Sequence, residues 1–335
     1  MATLAQVADA AQVSTASASL VLSGKSEGRV SPATAARVRQ AAEEMGYVRD
    51  ALAGGLRSRR TRTVGVLAEQ VLSTPYAVAM IDAILTASRS HGWSVLLTDA
   101  GGNPEQSRTA LRELRSRRVD VIIHAAMYHQ QVHVAAGLKH VAVLNGFADR
   151  EGVPGVVPDE VRAAREAVNH LTALGHRRIG HITDDNAETV AVGLRLEGYR
   201  EALGSAGITP DESLVVAGRN NPAGADVSAR RLLDRPDRPT AVFCYNDGMA
   251  AGVYRMAAQL GLSIPHDLSV VGFDDLTLIS TNLAPMLTTM RLPHYEMAEW
   301  LTRGLIGAAD PPPATTTLLP CALIERSSTS RPSPR

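Results

Sequence analysis

Apolar residues recur at helical spacing three times within the first 46 residues. The first set follows Thr3, and Gln6 stands three positions later, which is the pattern of a capping box at the start of a helix. After a tight turn, Ser14 is placed to cap a second helix that runs to about Leu22. The spacing therefore predicts two short helices joined by a three-residue link.

A third helix is predicted from the pair Ser31-Pro32, because serine caps helices and proline suits their first turn. Apolar residues follow at helical spacing, and Gly46 is placed to end the helix. Two short helices with a tight turn and a third as a brace form a helix-turn-helix. Generic helical hairpins are the commoner structure, so this pattern alone leaves both interpretations open.

Residues 47–62 have a different character, because they are rich in arginine and carry the pair Gly54-Gly55. Each glycine costs ~1 kcal/mol relative to alanine inside a helix. This segment is therefore not expected to form a stable helix alone, and a flexible linker is its simplest interpretation.

From Thr63 onward, apolar runs alternate with amphipathic stretches, and helix–Gly–turn–strand units repeat. Unbroken apolar runs are typical of parallel strands that are covered on both faces. About 270 residues of this pattern exceed one doubly wound sheet, so two α/β lobes with a cleft between them are predicted. The predicted strands are Val64–Leu67, Val95–Thr98, Val119–Ile123, Val141–Leu144, Ile179–Ile182, Ala241–Cys244 and Leu268–Phe273.

Charge is distributed unevenly along the 335 residues, although the net charge is zero. Residues 1–62 hold nine Lys/Arg and five Asp/Glu, a net charge of +4, which leaves −4 for the remainder. A basic N-terminal segment followed by an acidic remainder is typical of a protein in which the first part contacts phosphate groups and the rest does not. Chance clustering would explain this asymmetry equally well if it stood alone.

Several classes of protein are excluded by what the sequence lacks. Two cysteines give neither a disulfide framework nor a cysteine metal site, and no apolar run approaches the ~18 residues of a membrane span. With no signal peptide at its start, the chain is expected to be cytoplasmic.

No nucleophile elbow, phosphate loop or zinc-protease motif occurs, so an enzyme is not expected. His124, His129 and His133 lack acidic or thiol partners at ligand spacing, so neither a metal nor a cofactor is expected.

Six further stretches carry a common signal: TLAQVADAAQVSTASASLVLSGK, RVSPATAARVRQAAEEMGYVRDALAGGLRSRRTRTVGVL, LTALGHRRIGHIT, RLEGYREAL, PTAVFCYNDGMAAGVYRMAAQLGLSIPHDLSVVGFDD and PMLTTMR. In this order, and up to about residue 325, they resemble the lactose-repressor (LacI/GalR-type) family of regulators. Each stretch alone is a weak signal, but their order and spacing together are specific. The resemblance implies an α-helical helix-turn-helix head and two doubly wound, periplasmic-binding-protein-like α/β lobes.

The resemblance also implies domain boundaries. The head would span residues 1–46, the hinge 47–62 and the core 63–328. Within the core, lobe 1 would comprise residues 63–158 and 287–325, and lobe 2 residues 159–286.

By the same resemblance, the second helix lies in the major groove of DNA. The family commonly has long polar side chains where Thr15 and Ala16 stand, and arginine where Leu20 stands. Ala16 and Leu20 offer no bidentate contact, so contact with a thymine methyl or, for Leu20, packing in the head's core are the alternatives. The implied DNA-binding residues are Thr3, Ser14, Thr15, Ala16, Ser17, Ser19, Leu20, Arg29, Ala53 and Leu56.

Leu56 matches the hinge leucine that wedges into the minor groove at the operator centre, and Ala53 matches the small residue between paired hinge helices. Gly54-Gly55 departs from the family pattern and favours a hinge that orders only on DNA. A plain linker without DNA contact is the alternative.

In the core, the resemblance implies a cleft for a polar small molecule. Arg195, Asn246 and Asp274 carry over most directly, because a guanidinium, an amide and a carboxylate can fix several hydroxyl groups. Structural bonding between loops is the alternative role for each of them. The complete implied effector set is Glu69, Tyr76, His124, Asn145, Arg195, Asn246 and Asp274.

The sequence thus predicts a homodimeric transcription regulator, most simply a repressor, that binds a pseudo-palindromic operator. A sugar or related polyol would control its operator affinity, and no membrane contact is expected. A solute-binding protein, cytoplasmic or secreted, is the alternative, because it shares the fold of the core.

Overall fold

A computed structural model of the protein describes residues 2–47, 60–71, 77–101 and 103–333. Contacts divide the chain into a head, residues 1–61, and a core that begins at Arg62. The predicted hinge residues Ala53 and Leu56 and the predicted effector residue Tyr76 lie outside the described residues.

The head consists of helices α1 (Leu4–Ala10), α2 (Thr15–Leu22) and α3 (Pro32–Glu44). The predicted caps are confirmed. Thr3 and Gln6 form a reciprocal capping box, the Ser14 hydroxyl accepts a hydrogen bond from the Ser17 amide, and Ser31 caps α3. Each cap satisfies a first-turn N–H group that has no partner within its helix.

Residues in the left-handed conformation follow the first and the third helix of the head. Gln12 has φ 53° after α1, and Gly46 has φ 58° after α3. After α3, the Gly46 and Tyr47 amides donate to carbonyl groups of the last helical turn, which is a Schellman arrangement. The interior of the head is built mainly from alanine and valine. Because such small side chains bury little area each, local caps matter more in the head than in the core.

The core contains twelve strands and eight helices among its described residues. The strands are β1 (Thr63–Glu69), β2 (Ser94–Asp99), β3 (Val121–Val132), β4 (Val141–Ala148), β5 (Gly155–Pro158), β6 (Ile179–Asp184), β7 (Val215–Gly218), β8 (Ala241–Cys244), β9 (Ser269–Asp274), β10 (Thr288–Arg291), β11 (Thr316–Leu319) and β12 (Ala322–Ile324). The helices are α4 (Ala77–Ser90), α5 (Pro104–Ser116), α6 (Glu160–Ala173), α7 (Val190–Ser205), α8 (Pro222–Leu233), α9 (Asp247–Gln259), α10 (Thr277–Ser280) and α11 (His294–Leu305).

Lobe 1 is a six-stranded parallel sheet of order β11-β5-β4-β3-β1-β2. Helices α4 and α11 cover one face of this sheet, and α5 covers the other. Because both faces are covered, the interior strands read as continuous apolar runs, as predicted.

Lobe 2 is a second six-stranded sheet of order β12-β10-β9-β8-β6-β7, in which β12 alone runs antiparallel. Helices α6 and α7 cover one face, and α8 and α9 cover the other. The two doubly wound α/β lobes that the sequence predicts are therefore present.

The predicted lobe boundaries are wrong at the C-terminal side. The sequence analysis gives residues 287–325 to lobe 1, but β10 pairs with β9, and β12 pairs with β10, in lobe 2. Only α11 and β11 of that segment belong to lobe 1. The chain crosses between the lobes after β5, after β10 and after β11. The last two crossings could not be located from the sequence, because β10, β11 and β12 have only three or four residues each and show too little hydrophobic pattern.

No helix among the described residues is long and apolar enough to cross a membrane.

Candidate functional site

Helix α2 presents a polar first turn on the surface of the head. Thr15 and Ala16 are exposed, whereas the Ser14 hydroxyl is engaged with the Ser17 amide at 3.1 Å and with the Ser17 hydroxyl at 2.9 Å. Of this turn, Thr15 and Ala16 are therefore the side chains most open to a base edge, and Ser14 and Ser17 hold the geometry of the helix start.

Leu20 and Ser19 lie half-buried on α2. The neighbouring Leu22 packs against the interior of the head, and Leu20 is not among the side chains that form or line that cluster. Arg29, in the loop before α3, is exposed.

A cleft of about 290 Å³ lies between the two lobes of the core. Lobe 2 contributes Glu160, Arg195 and Asp274, and lobe 1 contributes His129 and Asn145. The three charged residues that line the cleft within the described part of the chain therefore all come from lobe 2. The predicted residues Asn145, Arg195, Asn246 and Asp274 all line this cleft.

Arg195 is buried and bound on several sides. Its Nε donates to Glu160 at 2.8 Å, one terminal nitrogen donates to the Tyr245 carbonyl, and the other lies 3.4 Å from Glu160 and 3.6 Å from Asp274. The guanidinium also stacks on the Phe273 ring, 3.7 Å from its centroid. Although burial alone would lower it, the pKa of Arg195 is raised, because Glu160, Tyr245 and Asp274 stabilise the charged form.

The close approach of α6 and α7 places Arg195 against Glu160. Gly198, one turn after Arg195, has no side chain, and a Cβ atom there would lie 2.2 Å from the Val161 carbonyl oxygen. The glycine of the stretch RLEGYREAL thus has a physical role, since any larger residue would push the two helices apart.

Asp274 ends β9 with φ 101°, a backbone conformation that favours glycine. Asp275 follows with φ 53°, and its carboxylate is 2.7 Å from Arg326. Strained backbone of this kind is held by surrounding structure and is concentrated at functional sites. Behind it, burial and the charge of Asp274 raise the pKa of Asp247 well above its usual value.

Asn246 caps helix α9. Its side-chain oxygen accepts from the Met249 amide at 2.8 Å, and its NH₂ group donates to Asn220 at 2.8 Å. On the lobe 1 side, Asn145 has φ 58° and donates to the Ala126 and Met127 carbonyls. Both amides are therefore fixed in position before any ligand arrives.

His129 differs from these residues. It is 8% exposed and stands edge-on to Phe147, and its buried Nδ1 has no hydrogen-bond partner among the described residues. Burial lowers its pKa, with Arg195 adding to the effect and Glu160 opposing it. The cleft thus contains a neutral imidazole with unused hydrogen-bonding capacity.

Glu69 and His124 form a pair of their own. His124 Nε2 lies 2.9 Å from Glu69, the hydrogen bond lowers the pKa of Glu69, and neither residue lines the cleft. His133 pairs with Asp149, so the three histidines singled out in the sequence do not converge. Among the described residues, no group of three metal-binding side chains is found.

Comparison with known proteins adds two family matches. Residues 3–50 match bacterial regulatory proteins of the lacI family, and residues 168–329 match the periplasmic binding protein-like domain. The chain is 33% identical to the transcriptional regulator GalR of Escherichia coli K12, over 99% of this chain and 97% of that one. The chain belongs to the LacI family.

A second relative of this LacI-family protein is the transcriptional repressor CytR of Escherichia coli K12, which is 33% identical over 88% of this chain and 86% of its own. Among solved structures, the lac repressor dimer bound to operator and the anti-inducer ONPF superposes with a TM-score of 0.80. It is 26% identical over 98% of this chain and 99% of that one. The predicted family, fold class and regulatory function are confirmed.

Sequence reasoning about this LacI-family chain missed several cleft residues. Glu160, Asn220, Tyr245 and His294 line the cleft, and His129 was considered only as a metal ligand. Tyr245 could have been found because it precedes the recognised Asn246. The others are brought to the cleft by packing between distant segments and leave no local signal.

Proposed function

We propose that this protein is a homodimeric transcriptional repressor of the cytoplasm whose operator affinity is controlled by a small polar molecule, a sugar or related polyol, bound in the cleft. No catalytic reaction is assigned to it. Residues Thr15 and Ala16 of α2 would contact base edges of a pseudo-palindromic operator. Leu56 and Ala53, outside the described residues, would act as the minor-groove wedge and the hinge contact.

The observation that carries this proposal is the union of two parts in one chain. A lacI-type head with an exposed second helix precedes a two-lobed core with a polar cleft, and 98% of the chain is covered by its match to the lac repressor dimer bound to operator and anti-inducer. A solute-binding protein, the alternative, needs no such head.

The operator-binding proposal is tested with the full chain on an operator selected from random DNA. Ala16→Glu places a carboxylate on the recognition face and should weaken binding at least tenfold, because it repels phosphate and reads a different base edge. Ala36→Glu makes the same change on the exposed surface of α3 and should change binding much less. Equal losses for both variants in a gel-shift titration would show that α2 is not the reading helix.

Dimerisation is supported by apolar side chains that the isolated chain leaves exposed. On α4, Val78 is 68% exposed and Leu85 lies two turns further along the same face. An apolar helix face beside the edge strand β2 is typical of a surface covered by a second copy. A two-fold dimer would place two heads on the two half-sites of one operator.

Sedimentation of Val78→Glu tests this assembly. The variant should shift the chain towards monomer, because a charge would be buried in the interface. Leu318→Glu, on β11 at the opposite edge of the same sheet and 57% exposed, is the matched control and should remain dimeric. Dissociation by the control alone would locate the interface at the other edge.

A further inference from the structure

A second cavity of about 460 Å³ adjoins the cleft. The two cavities share Tyr128, His129, Asn220 and Tyr245, so they adjoin each other between the lobes. The part bounded by Arg195 and Asp274 is called the inner cavity here, and the part bounded by Asp184 and Thr189 the outer cavity. The predicted effector residues that line either cavity all belong to the inner one.

The outer cavity is polar, and its charges have one sign. Asp184 and Glu188 contribute carboxylates, and Gln130, Asn186 and Thr189 contribute amides and a hydroxyl. Thr189 precedes α7 without making a side-chain cap, so its hydroxyl is available. The N-terminus of α7 would favour an anion by its dipole, but Asp184 and Glu188 lie at the same end and offset it.

The described residues of the inner cavity add no cation that is free to pair with an anion. Among the described residues that line either space, Arg195 is the only Lys or Arg, and it is already bound to Glu160, the Tyr245 carbonyl and Asp274. A phosphate or carboxylate group would enter a space with more carboxylates than cations. Desolvating such a group without a partner is costly, so an uncharged ligand is favoured.

His129 stands where the two cavities meet and is more than nine-tenths buried. Its Nδ1 is enclosed, whereas its Nε2 is not and makes no hydrogen bond among the described residues, so a hydroxyl group of a ligand can donate to or accept from Nε2. Beside it, Tyr128 and Tyr245 supply aromatic surface to both cavities. Apolar and aromatic walls with a few placed polar groups are typical of small-molecule sites.

We infer that the effector is an uncharged glycoside of two linked rings, with one ring in the inner cavity, the second in the outer cavity and a hydroxyl group bonded to His129. This inference rests on the proposed function, because it assumes that the cleft holds the effector. Disaccharides and nucleosides both have this chemistry. Phosphorylated sugars do not.

The test is calorimetric titration of the full chain with matched probes. Cellobiose, maltose and trehalose represent disaccharides, uridine and adenosine represent nucleosides, glucose and ribose are the single rings, and glucose 6-phosphate is the anion. At least one two-ring probe should bind ten times more tightly than its own sugar ring. The class of that probe, disaccharide or nucleoside, shows which kind of glycoside the cleft accepts.

Thr189→Trp fills the outer cavity and should weaken the two-ring probe at least tenfold, while the single ring loses much less. Thr109→Trp, the same change at an exposed site on α5, should leave both affinities unchanged. The inference is overturned if glucose 6-phosphate binds most tightly, or if one-ring and two-ring probes bind equally well. It is also overturned if no glycoside binds, or if Thr189→Trp has no effect. Operator binding without ligand is measured separately, so the proposed function can stand when this inference fails.

Discussion

The two walls of the cleft are built differently. Among the described residues, the lobe 2 wall carries all of the cleft's charged side chains, and Arg195 already pairs with both Glu160 and Asp274. The described residues of the lobe 1 wall are uncharged, and one of them, His129, keeps a ring nitrogen without a partner among the residues that the structure describes. One wall is therefore a closed network, and the other is open to a ligand.

This difference separates two roles that a sequence motif cannot distinguish. A charged residue in a binding cleft can hold the wall in shape, contact the ligand, or do both. Most N–H donors of Arg195 are already hydrogen-bonded within the protein, so its main role is to hold Glu160 and Asp274 in position. The lobe 1 wall therefore matters more for ligand selection than one would infer from the motif residues Arg195 and Asp274 alone.

Arg195→Ala should have the largest effect on stability. Removing the guanidinium leaves the carboxylate of Glu160 buried without its partner, and breaking a buried pair in this way costs ~3–5 kcal/mol. Urea unfolding followed by circular dichroism measures the loss.

Arg165→Ala is the matched control. Arg165 pairs with Glu201 at 3.1 Å with both side chains 43% exposed, so its removal should cost no more than ~1 kcal/mol. If the two variants lost equal stability, the lobe 2 wall would not be a closed network, and Arg195 would be free to act on the ligand alone.

Acid should destabilise lobe 2 through His181, which is buried between the Tyr199 and Phe243 rings. Burial lowers its pKa to about 4 in the folded protein. The unfolded chain therefore takes up the proton first, and stability is lost as the pH falls from 6.5 towards 4. A shift of this size corresponds to about 3 kcal/mol for the one group.

His181→Phe keeps the stacking and should flatten the pH dependence of the unfolding free energy in this window. His294 at the cleft, with its pKa also lowered to about 4, retains part of the slope. His140→Gln, at an exposed histidine, should leave the slope as in the wild type. A wild-type slope in the His181 variant would mean that its ring is protonated in the folded state.

Asn246→Ala should have a smaller effect, because it removes a helix cap rather than a charge pair. Loss of the bond to the Met249 amide costs ~1 kcal/mol. Asn246→Ser keeps a capping oxygen but loses the bond to Asn220, so it should retain most of the stability. Equal losses in thermal unfolding would show that the Asn220 bond, and not the cap, is what Asn246 contributes.

The head could be predicted almost residue by residue, because its structure is specified locally. Thr3, Ser14 and Ser31 each cap a helix within three residues of themselves, and Gly46 ends α3 where its position indicates. The turn after α1 is less evident in the sequence, since a glutamine, Gln12, adopts the left-handed conformation there.

The cleft could be predicted only in part, because its geometry depends on contacts between distant residues. Arg195 and Asp274 stand out through their motifs, but the partnership of Arg195 with Glu160 joins residues 35 positions apart. The pairing of Glu69 with His124 spans 55 positions and lies outside the lining of the cleft. No local pattern indicates which polar side chains satisfy one another.

His129→Phe should have the smallest effect on stability and thereby tests whether the lobe 1 wall is open. The ring keeps its edge contact with Phe147 and loses a nitrogen that has no partner among the described residues, so the free energy of unfolding should change by less than ~1 kcal/mol. His124→Phe makes the same change on the same strand, where the ring is bonded to Glu69 at 2.9 Å, and should cost ~1–3 kcal/mol. Urea unfolding of both variants side by side gives the comparison. A loss for His129→Phe as large as that for His124→Phe would mean that His129 belongs to a closed network as well, and the contrast between the two walls would fail.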